Sequence, residues 1–132
     1  MTTGRLGDWG SHDIEHELSA IYDVPHGAGL STIIPAWMQY VYKENVAKFC
    51  QFGNRIFDVE PDFSSPEETA LESIRRLKSF YKGLGLPVSL QDLNIPDDRL
   101  EEMAAKCTEK GPVGNFLKLY KEDVFTIYKL AR

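Results

Sequence analysis

From Ile14 onward the chain reads as a series of apolar stripes with a period near 3.6, separated by proline, glycine and acidic residues. Ile14, Leu18 and Ile21 form the first stripe, in a helix expected from about Asp8 to Tyr22 after a loose lead-in over Met1 to Gly10. Val24 to Tyr42 then carries no Asp, Glu, Lys or Arg over 19 residues. That run is long enough to raise a transmembrane question, but His26, Ser31, Thr32, Pro35 and Gln39 argue against one. A helix that is apolar all round belongs in a core, so a buried central helix is expected. Pro35 has no N–H to give the Ser31 carbonyl, which predicts a kink. Trp37 and Met38 follow it and are expected to be mostly buried. Gly27 and Gly29, at the start of this helix, leave room for another backbone or a ligand to come close.

A third helix is predicted over Asn45 to Val59, with Val46, Phe49, Phe52 (or Cys50), Ile56 and Phe57 inward. A loop around Pro61 leads to Ser65-Pro66-Glu67-Glu68, which has the form of a capping box with proline at the first helical position. Ala70, Ile74, Leu77, Tyr81 and Leu84 form the next stripe, stopped by Gly83 or Gly85. Pro87 to Pro96 reads as a connector with one short turn at Leu90 to Leu93. A fifth helix starting at Asp97 or Asp98 presents Leu100, Met103, Ala104 and Cys107 on one face, with Lys106 and Lys110 at its end to suit the dipole. Gly111-Pro112-Val113-Gly114 stops it. The last helix, about Glu122 to Ala131, turns Val124, Ile127, Tyr128 and Ala131 inward. No stretch alternates with period two, so the fold class expected is all-α: one helical domain over residues 1–132, long enough for a real core.

Composition narrows the partners. The formal net charge is -5, and the 15 basic residues are dispersed, so there is no basic surplus to offset phosphates and nucleic acid is not an expected partner. No charged leader precedes an apolar core, and no membrane partner is expected. Two cysteines, Cys50 and Cys107, sit in apolar helical patterns; a buried free thiol in a reducing compartment is expected for each, consistent with a cytoplasmic location.

The candidate chemistry is concentrated in one place. All three histidines, His12, His16 and His26, fall within 15 residues. At about 100° per residue His12, His16 and Ser19 share one side of the first helix, roughly opposite Ile14, Leu18 and Ile21. Pro25 breaks that helix, and a turn there would swing His26 back toward the other two. Neutral imidazole is the commonest side-chain ligand for zinc, copper, iron and nickel. One motif in the run, His12-Asp13-Ile14-Glu15-His16, matches H-x-x-E-H, the inverted zinc-protease signature, in which Glu15 is the general base. That reading leaves His26 without a role.

A longer stretch carries a second reading. Glu15-His16-Glu17-Leu18-Ser19-Ala20-Ile21-Tyr22-Asp23-Val24-Pro25-His26-Gly27-Ala28-Gly29, continuing to Pro35-Ala36-Trp37-Met38, closely resembles the iron-containing alcohol dehydrogenases, and within them the NADH-dependent butanol dehydrogenase branch. The resemblance extends more weakly from Gly4 to Arg132, through Leu84-Gly85-Leu86-Pro87 and the helix at Glu122-Asp123-Val124. It implies the carboxy-terminal helical domain of the dehydroquinate synthase-like fold. It also implies that His12 and His26 are ligands of the catalytic metal, Fe2+ with Zn2+ as a possible substitute, and that His16 lies near the nicotinamide and the substrate. NADH or NADPH is the implied cofactor and a primary alcohol or aldehyde the implied substrate. His16 would relay the alcohol proton.

The same resemblance assigns an Asp and another His ligand to helices that precede this stretch in the family. It assigns the phosphate-binding Gly-rich loop to an amino-terminal α/β domain, and no G-x-G-x-x-G occurs here. The chain is therefore expected to be the carboxy-terminal catalytic segment of such an enzyme, inactive alone. An apolar patch suited to self-association or to a complementary amino-terminal chain goes with that expectation. A zinc hydrolase and a non-catalytic helical remnant or interaction module are the alternatives.

Overall fold

The computed structural model describes residues 11–60, 64–96, 98–111, 113 and 118–132, and the side chains of Ser11, His12 and Asn45 are outside that description. The expected lead-in, the helix start at Asp8, the loop at Pro61, the alternative start at Asp97 and the stop residues Pro112 and Gly114 all lie outside the described residues.

Among the described residues there are six α-helices: α1 (Ser11–Tyr22), α2 (His26–Val41), α3 (Val46–Phe57), α4 (Pro66–Gly83), α5 (Leu100–Cys107) and α6 (Lys121–Leu130). A 3-10 turn, Tyr42–Asn45, joins α2 to α3. The only pairing of extended backbone among these residues is an isolated antiparallel bridge between Val113 and Leu119. The all-α expectation holds.

The helix α2 is the centre, packing on α1, α4 and α6. It runs through Pro35 to Val41 and buries Ile33, Ala36, Trp37, Met38 and Val41. Its small polar residues have partners within the fold. Thr32 Oγ1 donates to the Ala28 carbonyl at 3.0 Å, and Ser31 Oγ lies 2.6 Å from the Pro87 carbonyl, tying α2 to the connector. Trp37 is fully enclosed, its ring tilted against Phe49 of α3 with centroids 6.4 Å apart. The helix α6 is anchored to α1 by Tyr128, whose hydroxyl donates to the Ile14 carbonyl at 2.5 Å. Burial holds that phenol well above its ordinary range.

The helices α3 and α4 approach through a glycine. A Cβ on Gly53 would sit 1.7 Å from Ser73 Oγ and 2.5 Å from Ser73 Cβ, so no larger residue fits this crossing. The Ser73 hydroxyl turns back to the Thr69 carbonyl at 2.8 Å. The close crossing explains a departure from the expected stripe. Ile56 is not inward but 58% exposed. Asp58, at a φ of 55°, reverses the chain in a left-handed cap, and Val59 donates its N–H to the Gly53 carbonyl and takes the buried place. Leu84 is likewise exposed, at 61%. It caps α4, and the left-handed Gly85 then brings Leu86 N–H to the Tyr81 carbonyl, leaving Leu84 outside the turn.

Three further expectations are corrected. Ser65 makes no side-chain cap at α4; its carbonyl instead accepts from Glu68 N–H and Thr69 N–H, and Pro66 holds the first helical position as predicted. The helix α5 begins at Leu100, later than the acids at 97–98 suggested. Cys50 and Cys107 are free but half-buried rather than buried. Partial burial, with Asp13 and Glu17 nearby, still pushes the Cys107 thiol up to about 12.

The contact between α2 and α6 carries a pH-dependent bond. Tyr40 hydroxyl donates to Asp123, whose other oxygen accepts Tyr120 N–H at 2.9 Å at the start of α6. The Asp123 bond, then burial, pushes the Tyr40 phenol up to about 12 from 10.0. A raised folded-state value means that the stabilisation is complete below 10 and is lost as pH rises through about 12. Urea unfolding at pH 8 is expected to find Tyr40→Phe less stable than wild type by about 1 kcal/mol. That gap should close between pH 10 and 12, and a gap that stays constant there would show that the bond does not form.

Candidate functional site

The site is built where α1 ends and α2 begins. Asp23 follows α1 in the left-handed region, with a φ of 54°, and donates its N–H to the Ser19 carbonyl at 2.9 Å. Pro25 then caps α2 in extended backbone, and its carbonyl accepts Gly29 N–H at 2.9 Å. A proline just ahead of the first turn fits its preset φ and missing donor. This corner makes His26 the first residue of α2 and returns it to α1, where it meets Glu15.

The partner that meets His26 is Glu15. Its Oε2 lies 2.7 Å from His26 Nδ1. Its Oε1 accepts from Ser19 hydroxyl, which also lies 2.9 Å from the Val24 carbonyl. The two partners differ sharply in exposure: the Glu15 side chain is 1% exposed and that of His26 61%. The imidazole therefore reaches from an enclosed carboxylate to the surface. Gly29 completes the enclosure, since a Cβ there would fall 2.2 Å from Glu15 Oε1 and 2.6 Å from its Cγ. At Gly29 the close approach is made by the Glu15 side chain, and Gly27 has open space around it. The carboxylate also sits over the first turn of α2, where the helix dipole favours negative charge.

The other predicted residues are placed as follows. His16 lies on α1 with its side chain exposed, away from the buried Ile14 and Leu18. His12 is in the first turn of α1, and its side chain is outside the described residues. Among the described residues no group of three His, Cys, Asp or Glu side chains gathers to hold a metal ion. A cleft of about 470 Å³ lined by Leu90, Gln91, Ile95, Pro96, Lys129 and Arg132 contains none of the histidines. No helix among the described residues is long and apolar enough to cross a membrane.

The hydrolase assignment of Glu15 does not hold. A general base has to reach water and substrate, and this carboxylate is enclosed with both oxygens engaged. The sequence reading missed its place as the partner of His26. The signal was present: at about 100° per residue Glu15 falls beside Leu18 and Tyr22, on the flank of the core stripe. Ser19 is one turn further on, as a local hydrogen-bond donor.

The sequence matches the Fe-containing alcohol dehydrogenase family, C-terminal, over residues 1–132. It is 43% identical over 131 residues to the probable NADH-dependent butanol dehydrogenase 1 of Bacillus subtilis, covering 99% of this chain and 34% of that protein. It is 33% identical over 132 residues to the NADH-dependent butanol dehydrogenase A of Clostridium acetobutylicum, covering 98% and 34%. The crystal structure of NADH-dependent butanol dehydrogenase A from Thermotoga maritima superposes with a TM-score of 0.85 at 39% identity, over 94% of this chain and 33% of that one. The aldehyde reductase YqhD of Escherichia coli superposes with a TM-score of 0.87 at 25% identity. This chain thus spans about a third of the length of these relatives. With its full length matched and its helices superposing on solved members, it belongs to the Fe-containing alcohol dehydrogenase family.

Proposed function

We propose that the chain is the carboxy-terminal catalytic segment of an iron- and NAD(P)H-dependent alcohol dehydrogenase that interconverts primary alcohols and aldehydes, butanol and butanal among them. The observation that carries this reading is the family match over all 132 residues, which takes in the His12 to His26 spacing and the Pro25-His26-Gly27 step. His12 and His26 are the proposed metal ligands, and His16 the residue beside nicotinamide and substrate.

The residues present suit such a metal in one specific way. His26 is held through Nδ1 by Glu15 while most of its ring faces outward, and imidazole donors suit both iron and zinc. A bound divalent ion supplies Lewis acidity toward an alcohol or carbonyl oxygen. This chain's own part is to hold that ion with His12 and His26, and to offer at His16 an exposed imidazole that takes the alcohol proton to solvent and returns it in the reverse direction. The exposed side chains of Ile56, Phe80 and Leu84, with the Phe57 and Phe80 rings 6.0 Å apart, suit contact with another part of the enzyme or with a second copy.

Anaerobic titration of the purified chain with Fe2+ tests the ligand set. His12→Ala and His26→Ala are each expected to weaken binding, and His16→Ala to leave it nearly unchanged. Loss of binding in His16→Ala with retention in His26→Ala would refute the assignment.

A further inference from the structure

We propose that Glu15 is the positioning residue of the metal site, a buried carboxylate that selects the tautomer and orientation of the His26 ring. The inference rests on the reading of His26 as a metal ligand. It starts from a cost. A carboxylate with 1% of its side chain exposed, on a helix whose neighbouring Ile14 and Leu18 are fully buried, is expensive unless its oxygens are engaged. Here the surroundings are shaped to it. Gly29 leaves the space that any Cβ would fill, at 2.2 Å from Oε1 and 2.7 Å from Cδ. Ser19 holds Oε1, which aims Oε2 at His26 Nδ1, 2.7 Å away.

The consequence for His26 is chemical. A carboxylate only accepts, so Nδ1 carries the hydrogen, and in a neutral imidazole the lone pair is then on Nε2. The ring would enter the site as an Nε2 ligand in one orientation, fixed by the carboxylate behind it. The carboxylate also places a negative charge one imidazole away from a divalent ion whose ligands on this chain are neutral. Burial explains why the carboxylate needs donors, and Ser19 supplies one within its own helix. The second donor is a histidine whose side chain is 61% exposed, so the carboxylate fixes a ring that reaches the surface.

The test uses the 132-residue chain labelled with 15N, long-range 1H–15N correlation of the imidazoles, and Zn2+ as the probe ion. In wild type, His26 should be protonated at Nδ1, and Zn2+ should shift its Nε2. Glu15→Gln keeps an acceptor and should keep that tautomer. Glu15→Leu should shift His26 toward the Nε2-protonated form that predominates in water and weaken Zn2+ binding about 10–100-fold. Gly29→Ala should displace the carboxylate and move His26 in the same direction while leaving both partners in the chain. Unchanged tautomer and affinity in folded Glu15→Leu or Gly29→Ala would overturn the proposal. So would a Glu15→Gln variant that is folded yet as impaired as Glu15→Leu. His26→Ala separates the two readings: if it leaves Zn2+ affinity intact, the ligand assignment falls. If it removes binding while Glu15→Leu does nothing, only the role of Glu15 falls.

Discussion

Trp37→Ala is expected to lower the unfolding free energy by about 3–5 kcal/mol, the range for truncating a buried aromatic to alanine. For a chain of this size that corresponds to a fall in Tm of roughly 10–20 °C. Trp37 is 0% exposed and lies between Ile33, Met38 and Val41 on the same helix, with Phe49 of α3 tilted against it at 6.4 Å. Its helix is the one on which α1, α4 and α6 all pack, so the cavity opens in the central helix of the core, where the surroundings relax only partially. Leu84→Ala is the control: that side chain is 61% exposed, and a surface change of this kind costs about 0.5 kcal/mol or less. Thermal unfolding of both variants decides the matter. A Trp37→Ala protein that melts within a degree or two of wild type would show that α2 is not the centre of the core.

That helix was legible because its signal is one-dimensional. Nineteen residues without an acidic or basic side chain admit few explanations, and the polar groups inside the run are small enough to bond to their own helix, as Thr32 does with Ala28. The stripes of α5 and α6 were legible for a similar reason, since Met103, Ala104, Val124 and Ile127 all lie at helical spacing and all are buried. Periodicity failed at Ile56 and Leu84. Both lie at the correct angle, but each sits at a helix end where a left-handed cap at Asp58 or Gly85 redirects the chain and a later residue becomes the inward one. Angle around a helix says nothing about where the neighbouring helix stops.

The site divides along the same line. The histidine cluster and the turn at Pro25 were visible in the residues, and the resemblance to the alcohol dehydrogenases assigned roles to His12, His16 and His26. Glu15 was assigned a role only through a short motif, and that motif pointed to water activation. Ser19, one turn on, is a local partner, but the place of Glu15 also depends on His26 after the corner and Gly29 beneath, which only the packing of α2 on α1 brings to it. Tertiary packing turned an expected general base into an enclosed partner of His26.

The 132-residue chain purified alone is expected to give no measurable butanal-dependent NADH oxidation, even when loaded anaerobically with ferrous iron. The proposed ligands here are two imidazoles, which leave most of the coordination sphere to water and supply no negative charge, and the resemblance places an Asp and another His outside this stretch. The second shortfall is positional. No G-x-G-x-x-G occurs in these residues, the resemblance assigns the phosphate loop to an amino-terminal α/β domain, and this chain spans 34% of the Bacillus subtilis relative. Without a held nicotinamide, hydride transfer loses the advantage of proximity and orientation, which is worth about 7–11 kcal/mol, or roughly five to eight decades in rate. Co-expression with the amino-terminal two-thirds of the Bacillus subtilis relative, which is 43% identical over the shared part, should restore turnover, and His26→Ala should remove it again. Turnover by the chain alone that His26→Ala abolishes would overturn the expectation, because it would mean that these residues assemble a complete site by themselves or between copies.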